Sequence, residues 1–138
     1  MTACVFCQII SRQIPADILA EDDSVIVFLS LEHYPLVVPK VHVPDLFGLS
    51  DDLGAVLMRQ TIRVAKAVKS GLHCDGIYVH QTNGRAADQS VFHLHVHVSP
   101  RWLPGSELKI ELRSNIDREA RQIMARAIRW ELGSQSRS

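Results

Sequence analysis

Residues 88–101, DQSVFHLHVHVSPR, set His93, His95 and His97 at every second position among apolar side chains. Imidazole, with an unperturbed pKa of about 6.5, offers a nitrogen lone pair at neutral pH and can still take up a proton. Three in strict alternation can chelate a metal, act on a substrate, or fill one face of a sheet. Strand geometry narrows the choice. Alternate side chains share a face and lie roughly 6.6 Å apart, the outer pair roughly 13 Å. Neighbouring rings can therefore converge on one ion or one phosphate. All three on one tetrahedral zinc would have to close a gap that an extended chain opposes. A three-histidine catalytic zinc on this segment is disfavoured, and a division of labour is the better reading. The preceding loop, NGRAADQ, can offer backbone N–H groups to an anion, although by itself it is a plain hairpin connection. Cys4 and Cys7 form a C-x-x-C pair, weak evidence for a metal when read alone.

The elements that must position these residues follow from the same patterning. VFHLHVHV (91–98) reads as a strand with Leu94, Val96 and Val98 facing the core opposite the histidines. GIYVHQT (76–82), SVIVFLSL (24–31) and PLVVPK (35–40) are further strands, with ILAE (18–21) and LKIEL (108–112) as short ones. A long helix starts at Ser50, a cap followed by Asp51 and Asp52. Its apolar face carries Leu53, Val56, Leu57, Val64, Ala65 and Val68, and Gly71 is expected to stop it. A second helix over 114–132 opens on a capping box at Ser114 and Asp117 and buries Ile116, Ala120, Ile123, Met124, Ala127 and Ile128. Residues 133–138 read as a disordered tail. The order predicts an α+β fold, an antiparallel sheet of about five strands with two main helices, in a single domain spanning 1–138.

Composition excludes several function classes. The 15 basic and 15 acidic residues cancel, which removes any general argument for nucleic acid or an anionic membrane surface as partner. No apolar run approaches the roughly 20 residues needed to span a bilayer. The N-terminus lacks the basic start and continuous apolar core of a secretory signal. Three cysteines, an odd number, argue against a disulfide framework and for a reducing compartment, so a cytoplasmic location is expected.

QSVFHLHVHVSPR resembles the signature of the histidine triad family of nucleotidyl hydrolases and transferases, in which two apolar positions follow the last histidine. The second of those is Ser99 here. FCQIISRQIPADILAEDDSVIVFL and LVVPKVH resemble the N-terminal half of the same family, so the likeness covers most of residues 4–101. The resemblance implies a HIT-like fold and a homodimer whose two sheets join into one, with the first helix near the interface. It implies a nucleophile at His95, which attacks the α-phosphate of a nucleotide conjugate and forms a nucleotidyl-histidine that water cleaves to a nucleoside monophosphate. The carbonyl of His93 would hold the other nitrogen of His95, His97 would bond phosphate oxygens, and Ser90 would help protonate the leaving group. Backbone N–H groups around Gln89 and Ser90 would complete the anion cradle. Phe6, Ile9, Phe28 and Leu31 match the base pocket, and Ser30, Thr82, Asn83 and Gln89 the remaining nucleotide contacts. Some bacterial members bind a structural zinc through a pair like Cys4 and Cys7 with two histidines, which fall on His42 and His93; no metal is implied for the chemical step.

Departures from the family bear on substrate. Ser30 stands where an acidic residue usually holds the ribose hydroxyls, Thr82 where an amide is common, and Asp88 where a glycine is common. The loop LEHYPLVVPK is shorter than usual, and the histidine before this strand has no secure counterpart; His33 could substitute, but an exposed loop histidine is the better reading of it. Phosphate chemistry looks retained while ribose recognition looks altered. Phosphoramidates or dinucleoside polyphosphates are the expected substrates. A nucleotide-binding regulatory protein with little catalysis, or a zinc-dependent hydrolase, stay open.

Overall fold

The computed structural model describes residues 4–104 and 118–135. Its elements are α1 (Val5–Ile10), β1 (Ile18–Glu21), β2 (Val25–Leu29), β3 (Pro35–Pro39), α2 (Asp51–Leu72), β4 (Gly76–His80), β5 (Val96–Arg101) and α3 (Arg118–Gln135). Strand order in the sheet is β1-β2-β3-β5-β4, every neighbouring pair antiparallel. The expected α+β sheet is present, with a short third helix, α1, beside the two main ones. LKIEL, Ile116 and the pair Ser114 and Asp117 lie outside the described residues. Among the described residues no helix is long and apolar enough to cross a membrane.

Local signals explain most boundaries. Asp22 turns β1 into β2 by accepting the N–H groups of Ser24 and Val25 through Oδ1, both at 2.8 Å. Ser50 Oγ accepts the Leu53 N–H at 3.2 Å and starts α2. The central strands β2 and β3 are buried on both sides. Val27, Val37, Leu94 and Val98 pack against Leu57, Val64 and Val68 of α2 and Met124 and Ile128 of α3. On the opposite face Ile26, Phe28, Leu36 and Val38 lie under Phe6 and Ile9 of α1. Burial of each such side chain is worth about 1.5–3 kcal/mol, so the two layers fix the sheet in place.

Four expectations are corrected. The histidine segment does not pair as a strand from residue 91, because β5 begins at Val96 and its register with β3 covers only Leu36↔His97 and Val37↔Val96. Beyond Val38 the partner is Pro39, which has no N–H to give and whose carbonyl is taken by the His93 ring. The Leu94 N–H turns instead to the Val43 carbonyl at 2.7 Å. Gly71 does not stop α2, which runs to Leu72 and ends on His73 in the left-handed region at φ 53°. A Cβ at Gly71 would stand 3.1 Å from the Ala127 carbonyl oxygen, so this glycine allows α2 and α3 to touch backbone to backbone. Ile123 is exposed, and Ala125 takes its place on the buried face of α3, which extends to Gln135.

Candidate functional site

The face of the sheet under α1 gathers the histidines, and the tautomers of His93 and His95 follow from carbonyls, which accept and cannot donate. The His95 Nδ1–H donates to the His93 carbonyl at 2.7 Å, which leaves Nε2 with its lone pair. His93 is turned the other way, its Nε2–H donating to the Pro39 carbonyl at 2.8 Å and its Nδ1 bare. His95 is only 6% exposed, and Phe6 sets a ring edge-on against it at 5.1 Å. Its Nε2 nevertheless reaches the surface: it has no partner among the described residues, and the fully buried side-chain nitrogens without one are His80 Nδ1 and Trp102 Nε1. Burial first, then His80, holds the His95 imidazolium below the ordinary 6.5, partly offset by the bond to His93. Burial therefore favours the uncharged ring, in which Nε2 keeps its lone pair. His97 lies 4.7 Å from it, centroid to centroid, and is pushed down to about 4 by burial, His80 and His95.

A separate cluster forms on the other side of His93. One ligand atom each from Cys4, Cys7, His42 and His93 lies within 4.8 Å of all the others. Cys4 Sγ is 3.4 Å from His93 Nδ1, Cys7 Sγ is 3.4 Å from His42 Nδ1, and the two Nδ1 atoms are 3.2 Å apart. A tetrahedral zinc with bonds of about 2.0–2.1 Å to nitrogen and 2.3 Å to sulfur needs edges of roughly 3.4 Å between nitrogens and 3.6 Å between nitrogen and sulfur. The donor set and its spacing therefore fit such an ion. The fold explains the convergence: Cys4 caps α1 by accepting the Cys7 N–H at 3.5 Å, and the Leu94–Val43 bond draws His42 beside His93.

The remaining expected residues divide. Phe6, Ile9 and Phe28 are buried together, with Phe6 edge-on to Phe28 at 5.3 Å, whereas Leu31 is 93% exposed on the loop before β3. Several polar side chains are already committed to the fold. Ser30 Oγ accepts the N–H groups of Glu32 and Tyr34 at 3.2 and 3.4 Å, closing a turn. Gln89 is buried, accepting the Gly84 N–H at 2.7 Å and donating to the Pro44 and Val91 carbonyls. Asn83 exchanges two bonds with Gln81 and accepts the Leu46 N–H at 2.8 Å. Ser90 is exposed at the loop's end and Thr82 is half-buried, their side chains without a hydrogen bond among the described residues. Asp88 sits at φ 66°, the left-handed conformation that explains why a glycine suits this position.

Sequence reasoning missed three residues around His97. His33 is not the substitute histidine: its ring meets Arg121 at 3.0 Å, on the far side of the loop. Tyr34 takes that place, its Oη 2.9 Å from His97 Nδ1 and 2.7 Å from Glu32 Oε2. His80, the register partner of His97, stacks on it at 4.0 Å with planes 10° apart. Alternation offered a signal for His80, which follows Tyr78 by two. Arg121 of α3 grips the same loop, bonding Asp17 at 2.6 Å and the carbonyls of Ser30 and Leu29 at 2.7 and 3.1 Å.

Residues 11–102 match the family model described as the HIT domain. A Zn-bound histidine triad family protein from Mycobacterium smegmatis is similar at TM-score 0.84 and 34% identity, over 98% of this chain and 96% of that one. A hypothetical histidine triad nucleotide-binding protein from Sulfolobus tokodaii gives TM-score 0.88 and 28% identity, over 97% and 95%. The adenylylsulfatase HINT3 of Arabidopsis thaliana is 31% identical over 132 residues, 88% of this chain and 66% of that protein.

Proposed function

Because this chain belongs to the HIT domain family, we propose that it is a hydrolase or transferase acting on the α-phosphate of nucleotide conjugates. One observation carries the reading: the His95 Nδ1–H is anchored on a carbonyl at 2.7 Å, which leaves Nε2 with its lone pair and without a partner among the described residues. That nitrogen attacks phosphorus, a P–N bond forms, and the bond to the leaving group breaks. Ser90, exposed at the loop's end, would help protonate the departing group by relaying a proton to it from water, so that its own hydroxyl is restored. Water then releases a nucleoside monophosphate. Phosphoramidates and dinucleoside polyphosphates are the substrate classes. The commitment of the Ser30, Asn83 and Gln89 side chains to the fold favours recognition through the base and phosphate over the ribose.

Cys4, Cys7, His42 and His93 would hold a structural zinc, which when bound neutralises the thiolates and ties α1 to the histidine segment. Four protein ligands complete a tetrahedron and leave no position for substrate, which argues against a zinc-dependent chemical step. In a reducing cytoplasm the pair Cys4 and Cys7 stays available to the metal. Two copies would join sheets into a homodimer, a reading that light scattering in solution checks.

The test is turnover of adenosine phosphoramidate and a diadenosine polyphosphate by the protein, His95→Ala and a metal-stripped sample. Loss of the nucleophile should cost at least about 10³-fold in kcat, with nucleotide still bound. Binding without turnover by the unmodified protein would favour a regulatory nucleotide-binding role instead.

A further inference from the structure

We propose that Glu32 and Tyr34 are positioning residues that fix the tautomer of His97, so that His97 serves the reaction as a proton acceptor through a bare Nε2. The proposal rests on the nucleotidyl-histidine reading above and assigns the base of its second half. Tyr34 Oη lies between two groups, 2.7 Å from Glu32 Oε2 and 2.9 Å from His97 Nδ1. A phenol has one proton to give. An ionised carboxylate only accepts, so that proton goes to Glu32 and the phenol oxygen must accept from His97. Nδ1 of His97 therefore carries the hydrogen. Burial, and then Glu32, hold the Tyr34 phenol above its ordinary range, so it stays a protonated link. His97 Nε2 has no partner among the described residues and, like His95 Nε2, is not one of the fully buried unpaired nitrogens.

Burial, His80 and His95 make His97 a weak base that is uncharged at neutral pH, and Glu32 alone favours its cation. The titratable groups facing it are His80 from β4, His95 from the segment before β5, and Tyr34 and Glu32 from the loop before β3. The parallel His80 ring sets the plane, and the Tyr34 bond sets which way the nitrogens point within it. A bare Nε2 cannot donate to a phosphate oxygen, so the anchoring expected of His97 begins only after it has gained a proton. The step balances as follows. Water oxygen bonds to the phosphorus of nucleotidyl-His95, the P–N bond breaks, and its electron pair returns to His95 Nε2. The proton of the water passes to His97 Nε2. The resulting cation keeps its Nδ1–H on Tyr34, facing the Glu32 carboxylate through the phenol, and releases the proton to solvent with the product.

Nitrogen NMR of the histidine rings and rapid-quench kinetics with adenosine phosphoramidate test the proposal on the protein, Glu32→Ala and Glu32→Gln. Without a carboxylate the phenol proton is free to turn to His97, so Glu32→Ala should shift His97 to the Nε2–H form. Glu32→Gln keeps an acceptor oxygen and should retain the Nδ1–H form. Breakdown of nucleotidyl-His95 should slow relative to its formation by about tenfold in Glu32→Ala and recover in Glu32→Gln, the scale of a weakened general base. An Nε2–H ring in the unmodified protein, one tautomer in all three proteins, or unchanged breakdown in Glu32→Ala each overturns the relay. Absence of any nucleotidyl-histidine would instead bring down the underlying reaction and the base assigned to it, whatever tautomer the rings report.

Discussion

In the proposed reaction His95 attacks phosphorus only while uncharged, and its surroundings favour that state. Burial is the largest cause of its lowered pKa, and His80 adds to it. Protonation removes activity, so the rate rises with pH through the group's pKa and levels above it. The acid limb of kcat/KM, which reports the free enzyme, should therefore fall below 6.5 in a pH–rate profile. A limb above 6.5 would mean that neighbouring negative charge outweighs burial. The histidine trio stood out at this scale because strict alternation of imidazoles is rare. Tyr34 did not. Nothing in LEHYP marks a phenol as the partner of a residue 63 positions away, and only the register Leu36↔His97 puts them on one face. The tautomers were equally hidden, since they depend on which carbonyl each ring meets.

At the scale of elements, the helices and strands were mostly legible from period and caps, and the misreadings have physical causes. Gly71 near the end of an amphipathic run reads equally as a stop or as a contact, because both exploit the missing Cβ. The second reading wins, with Ala127 of α3 against it. Gly71→Val should therefore destabilise the fold by about 1–3 kcal/mol, as overpacking does, seen as a lower urea midpoint at constant m. A neutral result would show that the two helices can separate freely. The late start of β5 was hidden for a different reason. Hydrophobic alternation fixes which side chains share a face, and it does not say where a proline and a ring interrupt the ladder.

For the molecule as a whole, the cluster of Cys4, Cys7, His42 and His93 joins α1, the loop after β3 and the histidine segment, three pieces that share few other ties. Its ligand pattern was legible only through family likeness, since C-x-x-C alone says little and the two histidines lie 35 and 86 residues beyond Cys7. Chelation should lower Tm by about 10 °C relative to protein with zinc a hundredfold above its Kd, and readdition should restore it. Equal melting with and without chelator would remove zinc as a structural element. His93 faces the cluster with its ring and holds His95 with its carbonyl, so chelation should also lower turnover by displacing the nucleophile.

Arg121 gives the last helix a second duty. Its guanidinium holds Asp17 and the Leu29 and Ser30 carbonyls, at the root of the segment that carries Glu32 and Tyr34. A truncated chain that keeps every histidine but ends before residue 118 would retain the complete signature and lose the clasp on that segment. Motif content alone therefore does not define the smallest piece of this chain that keeps the site in shape.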